Sequence, residues 1–411
     1  MICKDIKKNE IIKKIKFEKI PVIIFGAGEI GKILCKVCLD QGIDIECFCD
    51  NNIMKIKKKC LDKEVILTPQ IKDRYKEAII LISAINIRDI VNQMDDIGDY
   101  QLYSGIEFIK DININEYDFD ESEEYIKFRI DTYINCHQNY LHSERIFLRS
   151  VDIVITERCS LKCRDCSNLM QYYEKPKDCN IDMTLESIDS LCSVVDEVNE
   201  FRVIGGEPFM NKEWHLVVKK LINEPKVKRI VIYTNATILP GEKDIECLKD
   251  NKLVVIITDY GYLSRKIVEF EKLLIENKVD YNIQKSGGWT KCGVISKHNR
   301  TNKENEDVYK KCCVKNIFTL IEGKLFGCPF AAHGSRLLAI PNDQTNYVEF
   351  SKVVYEESEI NKLKELLRNY TANTKYIAAC DYCNGRALSD PKIEPAIQID
   401  KPIPYNKTKL L

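Results

Sequence analysis

The chain has 411 residues, 45% of them hydrophobic and 30% charged, with a formal net charge of −1. This length exceeds one ordinary core and sets an expectation of two or three domains, with the composition of a folded protein rather than a disordered one. The near-balanced charge gives no global attraction to nucleic acid or to an anionic membrane.

No apolar run reaches the roughly 18–20 residues that a membrane-spanning helix needs. Basic residues threaded through MICKDIKKNEIIKKIKFEKI interrupt any signal-peptide core, so no membrane insertion is expected and the cytoplasm is the expected compartment.

Residues 1–110 alternate short apolar runs with helical patterns. PVIIFGAGEIGKILCKVCLDQG reads as strand, glycine turn and helix, IDIECFCDNN as a second strand, and AIILISAI as a later buried one. This β-α-β rhythm implies a parallel sheet with helices on its faces, a Rossmann-like domain. Gly26, Gly28 and Gly31 give G-x-G-x-x-G between strand and helix, and Asp50 ends the next strand, 19 residues on. That context is the one a dinucleotide needs, with a helix N-terminus for pyrophosphate and an acid for ribose. NAD or another nucleotide-linked ligand is one reading and a scaffold is the other.

Residues 111–147 open with the acidic DININEYDFDESEEY and read as a linker and a docking helix. Over 148–305 a second β/α series follows: VDIVIT, FRVIGG, RIVIYTN, LVVIITD and DYNIQKS. Runs this rich in β-branched residues suit strands buried on both faces. Thr156, Glu207, Thr234, Asn235, Thr258 and Asp259 fall at their C-terminal ends, the rim that carries chemistry in α/β sheets. Over 306–390, NIFTLIEGKLFGCPF reads as a β-hairpin turning at Glu322-Gly323 and SEINKLKELLRNY as a helix. Residues 391–411 read as an irregular tail.

Nineteen cysteines in a long chain without an export signal point to metal ligation for the clustered ones. Cys35, Cys38, Cys47, Cys60, Cys192 and Cys247 stand among apolar neighbours and read as small core residues. Cys159, Cys163 and Cys166 form C-x3-C-x2-C directly after a strand. A structural zinc site closes with four ligands, whereas three thiolates leave one iron of a [4Fe–4S] cube open.

This loop, with Gly205-Gly206-Glu207-Pro208 one β/α unit later, resembles the radical S-adenosylmethionine (SAM) superfamily. The resemblance implies a partial (β/α)6 barrel, a [4Fe–4S] cluster on Cys159, Cys163 and Cys166, and SAM on the open iron, cleaved reductively to a 5′-deoxyadenosyl radical. It places SAM contacts at Gly205 to Pro208, with Thr234, Asn235, Thr258 and Asp259 facing ribose and methionine carboxylate. One departure is Asp165, where the family often has an aromatic residue. The spacing Cys313-x9-Gly323-x4-Cys328, followed by Cys380-x2-Cys383, resembles the twitch form of the SPASM-type domain. It implies one auxiliary [4Fe–4S] cluster, with Cys312 as the alternative to Cys313 and a zinc knuckle as the other reading of the same ligands.

The expected activity is radical chemistry on a small polar molecule, a sugar or glycan precursor, ending in dehydrogenation or epimerisation. Cys292 would return hydrogen in an epimerisation, and a flavodoxin or ferredoxin would supply electrons. A peptide-modifying radical SAM maturase and a non-catalytic redox- or metal-responsive nucleotide-binding regulator are the alternatives.

Overall fold

The computed structural model describes residues 6–56, 58–117, 122–142, 144–350 and 356–408. The chain divides into two compact units, 1–144 and 145–411. Among the described residues no helix is long and apolar enough to cross a membrane.

Unit 1 runs α1 (Lys8–Glu18), β1 (Val22–Phe25), α2 (Glu29–Asp40), β2 (Cys47–Cys49), α3 (Ile53–Ile56), β3 (Val65–Ile66), α4 (Thr68–Arg74), β4 (Ile79–Ile82), α5 (Ile87–Asp95), β5 (Gln101–Ser104), α6 (Ile106–Ile109) and α7 (Glu123–Leu141). Its sheet has the order β3-β2-β1-β4-β5 with every pair parallel. Successive side chains of a strand alternate faces. Ile24, Phe48 and Leu81 therefore pack with α2 and α7, while Ile23, Phe25 and Ile80 pack with α5. Cys35, Cys38, Cys47 and Cys60 are buried in these layers, as are Cys192 and Cys247 in unit 2.

The acidic stretch is only partly visible, since 118–121 lie outside the described residues. The helix after it, α7, is part of the unit 1 core. Ile126, Ile130 and Tyr133 are buried there, and Tyr133 Oη donates to the Ile82 carbonyl at 2.8 Å. His137 is fully buried between Ser104 Oγ (2.7 Å) and the Ala84 carbonyl (2.9 Å). Burial lowers its pKa to about 3, so it is a neutral packing group.

Unit 2 is built on one open eight-stranded sheet. Its strands are β6 (Phe147–Val154), β7 (Glu197–Ile204), β8 (Val227–Thr234), β9 (Leu253–Asp259), β10 (Tyr281–Lys285), β11 (Ile317–Ile321), β12 (Lys324–Phe326) and β13 (Tyr347–Glu349). The order is β10-β9-β8-β7-β6-β11-β12-β13, parallel from β10 to β11 and antiparallel beyond. The sixth parallel strand is thus β11, the first arm of the hairpin, and it lies beside β6. Helices α8 (Ile181–Val194), α9 (Trp214–Ile222) and α10 (Ile267–Glu276) alternate with the parallel strands. A 3-10 segment, Glu242–Lys249, stands where a helix between β8 and β9 would. The remaining helices are α11 (Asn302–Lys311), α12 (Pro329–Arg336) and α13 (Glu357–Asn373).

One sheet face is apolar: Val151, Ile153, Phe201, Val203, Ile230, Ile232, Val255 and Ile257 join the helices in the main core. The residues between them point the other way, and there Arg202 pairs with Asp152 at 2.5 Å, both shielded from solvent. The hairpin turns at Glu322 (φ 47) and Gly323 (φ 73), two left-handed residues whose twist suits a tight antiparallel turn.

The glycine turn of unit 1 yields a test. A Cβ on Gly31 would sit 1.9 Å from the Gly26 carbonyl oxygen, a backbone atom that cannot yield cheaply. Gly31→Ala is expected to destabilise this unit by about 1–3 kcal/mol, the usual range for overpacking, read as a lower urea midpoint. An unchanged midpoint would show that α2 can separate from the turn.

Candidate functional site

The chain leaves β6 at Val154 and enters the loop carrying Cys159, Cys163 and Cys166. Two backbone bonds fix its start against the end of β7: Gly206 N–H donates to the Thr156 carbonyl at 3.0 Å and Glu207 N–H to that of Arg158 at 2.8 Å. A Cβ on Gly205 would lie 2.4 Å from the Thr156 oxygen, and one on Gly206 would lie 2.2 Å from the Arg158 oxygen. The close approach these glycines permit is therefore to the cysteine loop itself. Thr156 Oγ1 donates to Asp178 at 2.6 Å, and Glu157 is buried against Arg336 of α12.

Glu207 is fully buried and braces β8. Its carboxylate accepts from Thr234 Oγ1 at 2.8 Å and from Asn235 N–H at 2.9 Å. Asn235 passes this order to the thiols, because its Nδ2 reaches Ser160 Oγ (3.3 Å) and Cys159 Sγ (3.7 Å). Cys163 Sγ accepts from Gln398 Nε2 at 3.2 Å. Burial raises all three thiols, Cys163 to about 11 against the opposing Gln398 bond. A ligand metal must displace those protons, and N–H donors at sulfur favour the charged form it creates.

A second group of thiols lines one apolar pocket: Cys292, Cys312, Cys328, Cys380 and Cys383, with Phe330, Ile377 and Arg386 among its walls. Cys312, not Cys313, belongs to this lining. Cys313 N–H is tied to the Arg386 carbonyl at 2.8 Å. Cys328 caps α12, its Sγ accepting from Ala331 N–H at 3.4 Å, and Cys383 Sγ accepts from Gly385 N–H at 3.3 Å. Arg300 holds the C-x2-C turn, donating to the carbonyls of Cys380 (2.6 Å) and Cys383 (2.9 Å). Among the described residues, no three or more His, Cys, Asp or Glu side chains converge closely enough to hold a single metal ion.

Residues 153–309 match the model of the radical SAM superfamily, a span that contains the cysteine loop and the Gly205–Pro208 turn. That part of the chain is similar to the radical SAM superfamily. The chain is 33% identical over 109 residues to the GTP 3′,8-cyclase of Alkaliphilus metalliredigens, which is 25% of this chain and 33% of that protein. It is 31% identical over 97 residues to the GTP 3′,8-cyclase of Clostridium acetobutylicum, 22% of this chain and 30% of that one. The chain thus spans about a third of the length of the curated relatives it matches. Among solved structures it is similar to BtrN in complex with AdoMet and 2-DOIA, at 14% identity and a TM-score of 0.37, over 60% of this chain and 97% of that one. It is also similar to anSMEcpe with bound AdoMet and Cp18Cys peptide, at 14% identity and a TM-score of 0.35, over 56% and 84%.

The remaining rim residues are less converged. Pro208 opens a 3-10 turn, Pro208–Met210. Asp259 accepts from Gly261 N–H at 2.7 Å and the Thr258 carbonyl from Ser264 Oγ at 3.1 Å, so both stabilise the turn after β9. Sequence reasoning missed Tyr260 there, whose half-buried phenol is raised by desolvation and then by the thiols of Cys166, Cys163 and Cys159. It also missed Arg300 and Gln398, which no local motif marks. Asp165 is buried and paired with Arg164 at 2.8 Å. In unit 1, the Asp50 carboxylate is already engaged by Ala27 N–H (2.9 Å), Lys55 Nζ (3.0 Å) and Asn52 N–H (2.8 Å).

Burial raises the Glu207 carboxyl from 4.5 to about 7, against the bonds from Asn235, Thr234 and Phe209. A raised carboxyl contributes stability that is complete below its unfolded pKa and is lost as pH climbs through the folded one. Between about pH 4.5 and pH 7 the loss is on the order of 3 kcal/mol. Wild-type stability in urea should therefore fall over that window relative to Glu207→Gln. Parallel pH profiles for the two proteins would show that Glu207 ionises at its ordinary value.

Proposed function

We propose that Cys159, Cys163 and Cys166 hold a [4Fe–4S] cluster with one iron left for SAM, and that Cys312, Cys328, Cys380 and Cys383 hold a second, auxiliary one. The observation that carries the first assignment is three buried or half-buried thiols on one loop, two of them meeting side-chain amides at sulfur. The second rests on these four of the five thiols around one apolar pocket, with backbone N–H groups at Cys328 and Cys383. Cys312 is preferred to Cys313 because it lines that pocket. Bound together, a reduced [4Fe–4S] cluster and SAM supply one electron and a breakable sulfonium bond, and so a carbon radical that abstracts hydrogen.

The protein's own part is to hold, orient and exclude. Gly205 to Pro208 offer backbone beside the cysteine loop for the SAM amino group, while Thr234, Asn235, Thr258 and Asp259 form the rim for ribose and carboxylate. The substrate is a small polar molecule, a sugar or glycan precursor, and the outcome dehydrogenation or epimerisation, with a flavodoxin- or ferredoxin-type reductant. Cys292, buried in the pocket wall, is the thiol that would return hydrogen in an epimerisation. A nucleotide-linked ligand at Gly26, Gly28 and Gly31 would share the Asp50 carboxylate with Lys55, Ala27 and Asn52. The partial matches to GTP 3′,8-cyclases favour a second reading, in which the substrate is a purine nucleotide and the outcome a ring closure.

Anaerobic reconstitution should give about eight irons per chain for two such clusters. Dithionite-dependent formation of 5′-deoxyadenosine should be lost in Cys163→Ala. Cys312→Ala should lose about four irons and Cys313→Ala none, given four per cluster. Zinc in place of iron would overturn the proposal.

A further inference from the structure

Among the described residues, the tail over 391–408 has no regular secondary structure, yet it is threaded onto unit 2 by specific bonds. Ile393 and Trp289 exchange backbone hydrogen bonds at 2.7 and 3.0 Å, and Ile403 N–H donates to the Gln171 carbonyl at 2.8 Å. Tyr405 Oη reaches the Leu337 carbonyl at 3.0 Å. Between these anchors the tail runs antiparallel to the middle of the cysteine loop, with Gln398 opposite Cys163. Arg164 N–H donates to the Ile397 carbonyl at 2.8 Å, and Ile399 N–H to the Lys162 carbonyl at 2.9 Å.

The Gln398 side chain completes this bridge. Its Oε1 accepts from Lys162 N–H at 2.7 Å. Its Nε2 donates one hydrogen to the Ala396 carbonyl at 2.7 Å and the other to Cys163 Sγ at 3.2 Å. Oxygen and both hydrogens are used, so the amide has one orientation, with an N–H at the sulfur. Its two bonds to the loop span 235 and 236 positions in sequence.

We propose that Gln398 is a positioning residue of the SAM cluster: it fixes the Lys162–Arg164 segment and raises the cluster's reduction potential through its N–H bond to Cys163. This rests on the assignment of Cys163 as a ligand of that cluster. Reduction adds negative charge that the cysteine sulfurs share, and a donor at sulfur stabilises the reduced form more than the oxidised one. Removing the donor lowers the potential without removing a ligand.

The test is an EPR-monitored redox titration of the reconstituted full-length protein, following the signal that SAM perturbs. Gln398→Leu removes both contacts to the loop. Gln398→Glu keeps an acceptor for Lys162 N–H and puts negative charge at the sulfur. At fixed potential the ratio of reduced to oxidised cluster should fall at least about threefold in Gln398→Leu, a shift of about 28 mV for one electron. It should fall further in Gln398→Glu, with iron content near wild type. Gln398→Glu decides the matter where Gln398→Leu loads iron poorly. Unchanged midpoints at unchanged iron content would overturn the proposal. A wild-type protein with no SAM-perturbed signal would remove the cluster assignment beneath it, a distinguishable failure.

Discussion

Three thiols on a loop without regular structure can share a ligand only if something outside the loop fixes where they point. In this chain that constraint is met by backbone. The end of β7 comes so close to Thr156 and Arg158 that no Cβ fits at Gly205 or Gly206. Two N–H bonds at 3.0 and 2.8 Å then lock loop and strand together. Because β7 is itself held between β6 and β8, the position of the first cysteine is set by the sheet rather than by the loop.

From that contact the order spreads by polar groups in sequence. Glu207, the residue after the glycines, turns its carboxylate to Thr234 and Asn235 and so fixes the end of β8. Asn235 in turn presents its amide to Ser160 and Cys159. A fully buried carboxylate is a costly group to keep in an apolar setting, and its three hydrogen bonds offset the cost only in part, as its raised pKa records. That balance suits a residue whose work is to align two strand ends beside a polar ligand.

Much of this was legible because the signals are local. The apolar runs of unit 1 and unit 2 mark strands buried on both faces, and β1, β4 and β6 to β9 stand where those runs are. C-x3-C-x2-C and the glycine pair sit on strand ends whose neighbours are adjacent in the sheet. What stayed hidden is non-local or too short. β3 has two residues and β13 three, below any periodicity. β11 lies beside β6 rather than after β10, a choice of sheet edge that its own residues do not encode. The choice between Cys312 and Cys313 is a matter of which way α11 ends, since adjacent residues point apart. Gln398 and Arg300 act through contacts 235 and about 80 positions away, and a single amide or guanidinium in an irregular segment carries no pattern.

The two sets of thiols are also not independent of each other, and the connection is a short stretch of backbone. A Cβ on Gly293 would lie 2.4 Å from the Cys166 carbonyl oxygen, so that residue is packed directly under the third cysteine of the loop. Its own carbonyl accepts from Gln171 Nε2 at 2.7 Å, and the same amide reaches Cys166 O at 3.2 Å. The preceding residue, Cys292, and the residue after Cys166, Ser167, both line the pocket of the second set. One loop pair thus carries a wall of each site on neighbouring residues. A displacement of 292–293 that opened the pocket would have to move Cys166 with it, because tightly packed backbone transmits such shifts rather than absorbing them. The wall of the five-thiol pocket and the third cysteine of the loop are therefore carried on one stretch of packed backbone.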